Sequence, residues 1–590
     1  MNTLMQCVLS NRGWTEAKFQ EINTEPHAVP KDVDKLCLIL KYYHDIQAKV
    51  VLLTDYDMDG LSAGVLGYAG LAELGFNVSL YLPVVSEGYG FHSHTIDKIK
   101  QQYPDVQCIV TADTGITCYD GVLRARELGI DILVTDHHKA SGILHANVVV
   151  DPARIEDTES YTFTCGAAVL YQVLLYYAKH YATAYHTSQI RRLCVFAGLG
   201  TVSDGMTVYY ENRRLILDAL HILEYVYNDD NADAVLNIQG CNTYRQAFYG
   251  LYVLLHEMKK ANNFVLQANP VKLQEDFIAF YIAPLFNSIK RMDGDVRLAY
   301  GIFFESSPHA KVQALLELNE ARKCSVEEKW ADLIEDRFPQ PWAPYVYITD
   351  ADSGIRGLLA QKMLEVTGKP VMVVASDGRN GYEGSGRCPY WYPFLDVACS
   401  EHWQAAGHNP AFGIGFDSEN GVEALIAFLE KSIPEYEPTD TVFVPDFYMS
   451  MFGTGQLDYD IATIVEYLNE LPTFRPFGSG FSEPEGVLEI DTSACQFSIM
   501  GKKSNHLKVL LPQGVEVICW NQADVVRGHL QRVEPDRNDP DAPLKPYYIS
   551  KDLPLCMRIV GKFQYGSFRG MQSVQFYGTI QEEDDDERNE

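Results

Sequence analysis

Four short apolar runs, each closed by an aspartate, constrain this 590-residue chain more than any other feature. They are "KVVLLTD" ending at Asp55, "QCIVTAD" at Asp113, "DILVTD" at Asp136 and "NVVVD" at Asp151. Each is short and β-branched, the mark of a buried strand. Stretches of helical spacing fill the intervals, as in "LSAGVLGYAGLAELG" (61–75). Such alternation predicts a parallel sheet with helices on both faces. In these sheets ligands bind beyond the carboxyl ends of the strands. Asp55, Asp57, Asp113, Asp136, His137 and His138 all fall there.

The first run continues as "DYDMDG", with Asp55, Asp57 and Asp59 at alternate positions. In extended chain, residues two apart point to one side, and three carboxylates there repel one another unless a cation sits among them. Alone, the motif is equally compatible with a solvated acidic loop. A later helix-like segment, "LCVFAGLGTVSDGM", adds Asp204. Several carboxylates with an imidazole make a hard, mixed donor set that suits Mn²⁺ or Mg²⁺. The carboxylates outnumber what one ion needs, so a two-metal site is expected.

Composition narrows the class. The chain is 47% hydrophobic and 22% charged, as in folded soluble proteins, and no apolar run is long enough to span a membrane. Its thirteen cysteines include no CxxC pair, which argues against a zinc ribbon or disulfide framework and for a reducing, cytoplasmic setting. The net charge of −31 argues against indiscriminate nucleic-acid binding but allows a local basic groove. The acidic stretch Glu582–Glu590 is expected to be solvated.

"DYDMDG", "ADTG", "TDHH" and "GLGTVSD" resemble the four motifs of the DHH phosphoesterases, in their RecJ branch of single-strand-specific exonucleases. "SEGYGFH" (86–92), "TCGAAVLYQVL" (164–174), "YYENRRLI" (209–216), "APLFNSIKRMDG" (283–294) and "LNEARK" (318–323) are similar to further RecJ stretches. "GSGRCPYWYPF" (384–394) and "AAGHNPAFG" (405–413) resemble the signatures of the companion DHHA1 domain. "FRPFGSGFSEP" (474–484) is similar to the RecJ lead-in to its oligonucleotide-binding (OB) domain.

The resemblance implies an α/β multidomain chain: a parallel-sheet DHH domain, a long connecting helix, an α/β DHHA1 domain and a C-terminal β-barrel of OB fold. The boundaries expected are an N-terminal helical segment (1–45), the DHH catalytic domain (46–225), a helical connecting region (226–340), DHHA1 (341–435), a lead-in (436–485), the OB domain (486–580) and an acidic tail (581–590). Residues 229–264 match no part of the family.

By matched position, Asp55, Asp57, Asp59, Asp113, His137 and Asp204 would hold two Mn²⁺ or Mg²⁺ ions, with Asp113 bridging. Asp136 would orient a histidine, and His138 would face the scissile phosphate or its leaving oxygen. Ser385, Arg387, His408, Arg291 and Asn287 would bind substrate phosphates. The chain departs from the family in its Ala406-Gly407-His408 triplet and the "NPAF" that comes after it.

Lys502, Lys503, Lys508, Lys562 and Arg569 lie in basic, aromatic-interleaved strands suited to single-strand contact. The resemblance implies 5′→3′ hydrolysis of single-stranded DNA to mononucleotides in repair, recombination or replication, alongside a single-strand-binding protein. Two alternatives are a DHH phosphodiesterase acting on short oligonucleotides and an inactive replication scaffold. The first usually lacks an OB domain, and the second has lost ligands that are intact here.

Overall fold

In a computed structural model, the structure describes residues 2–24, 29–82, 90–140, 142–154, 164–229, 237–261, 272–335, 337–398, 400–437, 444–501, 504–534, 546–568 and 571–581. Three sheets organise the described residues.

The first is wholly parallel. Strands β1 (Lys49–Thr54), β2 (Val78–Tyr81), β3 (Val106–Ala112), β4 (Asp131–Thr135) and β5 (Val148–Val150) lie in the order β2-β1-β3-β4-β5. Side chains alternate faces along a strand, so a continuous apolar run feeds two cores. Val50 and Leu52 pack with Leu66 and Leu170 of the helices Met58–Glu73 and Gly166–Tyr181. Val51 and Leu53 pack with Ile96 and Val122 of Ser93–Gln102 and Tyr119–Glu127. Helices therefore cover both faces, as expected, and all carboxyl ends of the strands open to one side.

The helix Pro308–Ile334, ~40 Å long at 1.5 Å per residue, joins this body to the next. Val312 and Leu315 belong to the first core, whereas Val326 and Leu333 pack with Ile355 and Leu359 of the helix Ser353–Thr367. The second sheet is mixed: β6 (Val346–Ile348), β7 (Val371–Ser376), β8 (Tyr382–Arg387), β9 (Trp403–His408) and β10 (Ala411–Phe416) run β6-β7-β8-β10-β9. Asn409 and Pro410 form the tight β9–β10 turn. Asn409 accepts from Leu395 N–H at 2.7 Å and donates to Asp396 at 2.7 Å, so this departure from the family pattern has its own local support.

The third sheet has ten strands: β11 (Tyr448–Ser450), β12 (Leu457–Asp458), β13 (Gly486–Asp491), β14 (Gln496–Met500), β15 (His506–Leu510), β16 (Glu516–Cys519), β17 (Leu530–Val533), β18 (Tyr547–Ser550), β19 (Cys556–Phe568) and β20 (Met571–Ile580). Their order, β12-β11-β13-β19-β20-β16-β15-β14-β18-β17, is an open ladder among the described residues rather than the expected closed barrel. Among the described residues the end strands β12 and β17 do not pair with each other. Residues 444–485 carry β11 and β12 into this sheet and bind the N-terminal helix Thr3–Asn11 and its C-terminal cap: Arg12 forks onto Asp446 at 2.6 and 2.7 Å. No helix among the described residues is long and apolar enough to cross a membrane.

Candidate metal centre and phosphate site

The site begins where β1 ends. Asp55 is buried there, and Asp57 caps the helix Met58–Glu73 by accepting from the N–H groups of Asp59 and Gly60, both at 3.0 Å. Asp59 turns inward and accepts from Gly166 N–H at 2.7 Å and Ala167 N–H at 3.1 Å, at the N-terminus of the Gly166–Tyr181 helix. Helix N-termini favour negative charge. Neither Gly166, against Asp113, nor Gly200, against Asp59, leaves room for a Cβ.

Asp113 comes directly after β3 with φ 58°, a left-handed conformation that turns its side chain back over the strand ends. Its Oδ1 is fully buried and takes no hydrogen bond, although His137 Nε2 stands 3.1 Å away. The same nitrogen is 3.6 Å from Asp204 and 3.9 Å from Asp59. Donor atoms of Asp55, Asp57 and Asp113 lie within 4.8 Å of one another, as do those of Asp59, His137 and Asp204. Asp113 belongs to the first set and forms a third with His137 and His138, so it links the two.

The electrostatics match that crowding. Burial, then the Asp57 charge, pushes Asp55 up to about 7. Burial, then Asp59 and Asp57, pushes Asp204 up to about 8. Asp113 stands far above the carboxylate range through burial and then Asp59, Asp57 and Asp55. Burial holds His137 below the usual imidazole range, which favours the neutral ligand form. An orphaned buried oxygen and mutually repelling carboxylates around a neutral imidazole are what hard divalent cations require, so these residues fit such ions.

His138 is different. Burial alone would lower it, but the Asp136 hydrogen bond and charge, with Asp204 and Asp55, raise it to about 9. Asp136 Oδ1 meets His138 Nδ1 at 2.7 Å, while Oδ2 accepts Ile116 N–H at 2.8 Å. Burial pushes Asp136 up, yet His138 and the Ile116 N–H outweigh it and leave it low.

A second cluster is cationic. Arg291 ends the helix Ala283–Arg291, which also carries Asn287; Arg387 ends β8. Burial, then Arg322 and Arg387, lowers Arg291 to about 10. Arg322, on the long helix, bonds Asn319 at 3.0 Å, and Arg387 bonds the Gly386 carbonyl at 2.8 Å. Among the described residues none of the three has an ion-pair partner. Lys290, beside Arg291, places its ammonium 4.7 Å over the ring of Tyr56, between Asp55 and Asp57. The basic cluster therefore borders the carboxylates.

Arg322 lies within the quoted stretch 318–323, but the sequence reading gave it no role. Ser385 lies in β8, lining a groove with Gly384, Gln404 and Gly413. His408 ends β9, but its side chain lies outside the described residues, as do Lys502, Lys503, Arg569 and 86–89 of the "SEGYGFH" stretch. Of the basic residues expected on the third sheet, Lys508 pairs with Glu516, and Lys562 lies 3.5 Å from Glu483.

A DHH-type parallel sheet and an OB-type sheet define the class: residues 49–198 match the DHH family, N-terminal domain, and residues 458–578 match the RecJ OB domain. Within that class the chain is RecJ-like. It is 24% identical over 483 residues to the single-stranded-DNA-specific exonuclease RecJ of Thermus thermophilus, covering 80% of this chain and 63% of that protein. It is 25% identical to the Bacillus subtilis protein of the same description, covering 82% and 57%. The chain thus spans about three fifths of the length of these relatives. The crystal structure of T. thermophilus RecJ in complex with Mn²⁺ superposes with a TM-score of 0.70 at 19% identity, over 99% of this chain and 76% of that one.

Proposed function

We propose that the chain is a metal-dependent exonuclease that hydrolyses single-stranded DNA from the 5′ end to mononucleotides. The observation that carries this is the orphaned buried oxygen of Asp113 within linked carboxylate and histidine donor sets. RecJ-named relatives over most of the chain support it.

In this reading Asp55, Asp57 and Asp113 hold one divalent ion, and Asp59, His137 and Asp204 the other. Bound there, two such ions would activate water and neutralise charge on the attacked phosphate. The chain's own residues supply the rest. Asp136 fixes His138 through Nδ1 and so aims the ring that would hold a proton for the departing 3′ oxygen. The hydrogen bond and charge of Asp136 favour the protonated ring. Arg291, Arg322 and Arg387 grip phosphate, with guanidinium forks matched to its oxygens. Ser385 and the glycine-lined groove beside it let the backbone of the strand lie close to the sheet. A cytoplasmic location agrees with the cysteines, which are all free thiols among the described residues.

The deciding experiment digests single-stranded DNA labelled at either end, with Mn²⁺, beside a duplex and an RNA control. Immediate release of the 5′ label as mononucleotide, sparing the duplex and abolished by Asp113→Ala, is expected. Retained single-strand binding without digestion under any divalent ion would overturn the reading.

A further inference from the structure

The short segment Asp55–Asp59 serves more than one donor set: Asp55 and Asp57 lie in one, Asp59 in another. Carboxylates packed so closely repel one another and push the segment open. Its two stems are Thr54, the last residue of β1, and Gly60, in the first turn of the helix Met58–Glu73.

Both stems meet one side chain from outside the sheet. The Tyr300 hydroxyl lies 2.9 Å from Thr54 Oγ1 and 3.4 Å from the Gly60 carbonyl oxygen. A phenol has one proton, and a carbonyl only accepts. Tyr300 therefore donates to Gly60 and accepts from the Thr54 hydroxyl. Tyr300 and Thr54 are 3% and 2% exposed, so this bridge forms out of water, where such bonds are electrostatically stronger. Gly64 makes the approach possible, since a Cβ there would collide with the phenol oxygen. Tyr300 sits on the helix Arg297–Phe304, which precedes the long connecting helix and shares a core with its Val312 and Leu315.

We propose that Tyr300 is a positioning residue of the metal centre. Its hydroxyl ties the end of β1 to the first turn of the Met58–Glu73 helix and so fixes the spacing of Asp55, Asp57 and Asp59. The role rests on the metal-dependent reading above and extends it: the connecting region, as well as the sheet that bears the ligands, sets the affinity for the ions.

The test titrates Mn²⁺ into the metal-free full chain and follows the six-line magnetic resonance of free Mn²⁺, with no DNA and no turnover. Tyr300→Phe, which removes only the hydroxyl, should weaken Mn²⁺ binding at least about tenfold, the usual cost of losing a group that supports metal ligands. Thr54→Val should weaken it too. The double variant should bind no more weakly than Tyr300→Phe, because both changes open the same bridge. Tyr244→Phe is the control: its buried hydroxyl donates to the Gln189 carbonyl at 2.9 Å, between helices that carry no donor residue. It should melt lower in EDTA yet bind Mn²⁺ as the wild type does. Wild-type Mn²⁺ affinity in Tyr300→Phe, or an equal loss in Tyr244→Phe, overturns the proposal and leaves the metal centre standing. Should Tyr300→Phe fail to fold, undiminished affinity in Thr54→Val overturns it in the same way. A wild-type chain that binds no Mn²⁺ sinks the metal-dependent reading itself, and the positioning role with it.

Discussion

Asp136 holds His138 Nδ1 at 2.7 Å with one carboxylate oxygen, and its other oxygen is fixed by Ile116 N–H at 2.8 Å. The ring is therefore aimed by a carboxylate that cannot itself rotate. Asp136→Asn should lower single-turnover hydrolysis 10- to 100-fold, the usual cost of losing a carboxylate behind a functional histidine. His138→Gln should cost more. The double variant should be no slower than His138→Gln alone, because the two residues act as one unit. An additive double variant would separate them.

The carboxylate cluster makes metal-free stability fall with pH. Asp55 and Asp204 titrate at about 7 and about 8 in the fold, against roughly 4 when unfolded. Below pH ~4 both states are protonated, and the stabilisation is fully present. From pH ~4 to ~8 the folded chain keeps protons that the unfolded chain has released, so stability declines as pH rises. Thermal melts in EDTA should show Tm dropping across that window. Mn²⁺ at neutral pH should restore it, by ~2.7 kcal/mol at a hundred times its Kd. Asp113→Asn should raise the metal-free Tm and abolish the Mn²⁺ increment.

Much of this centre was legible because strand periodicity places the end-of-strand residues Asp55, Asp57, Asp113 and Asp136 on one rim. The contacts that close the site were not. Asp59 is held by Gly166 and Ala167, over a hundred positions away, a contact that only the packing of two helices creates. All three arginines lie in quoted stretches, but only Arg291 and Arg387 were given phosphate roles; Arg322 joins them where the long helix crosses the gap between two cores. On the third sheet, likewise, the sequence displays Lys508 and Lys562 but not the partners Glu516 and Glu483 that face them. Residues 444–485 likewise entered that sheet through pairings of β11 with β13 that have no local signature.

Arg213 ties the catalytic body to the third sheet. It is 2% exposed, faces no carboxylate within hydrogen-bond reach among the described residues, and donates to the carbonyls of Phe474, Arg475 and Pro476 at 2.7–3.0 Å and to Asn23 at 2.6 Å. Arg213→Met keeps the bulk but leaves these acceptors buried and unpaired, at ~1–3 kcal/mol for each group. Denaturant titration should show a loss of at least about 3 kcal/mol. An unchanged midpoint would mean that water replaces the guanidinium.

Burial lowers Arg291, Arg322 and Arg387, Arg291 is lowered further by the other two, and none forms an ion pair among the described residues, so an anion would relieve them. If that anion is the terminal phosphate, the benefit depends on the 5′ end of the substrate. Arg387→Ala should raise KM for a 5′-phosphorylated strand about 10- to 100-fold, with a smaller change in kcat, and should affect a 5′-hydroxyl strand less. Arg387→Lys should recover little, because a point charge does not reproduce the fork geometry. The wild-type preference for the phosphorylated end should also weaken as salt rises, since half-buried charges are only partly screened. Equal losses on both substrates would instead assign the cluster to internal phosphates of the strand, and the choice of end would have to come from elsewhere in the groove.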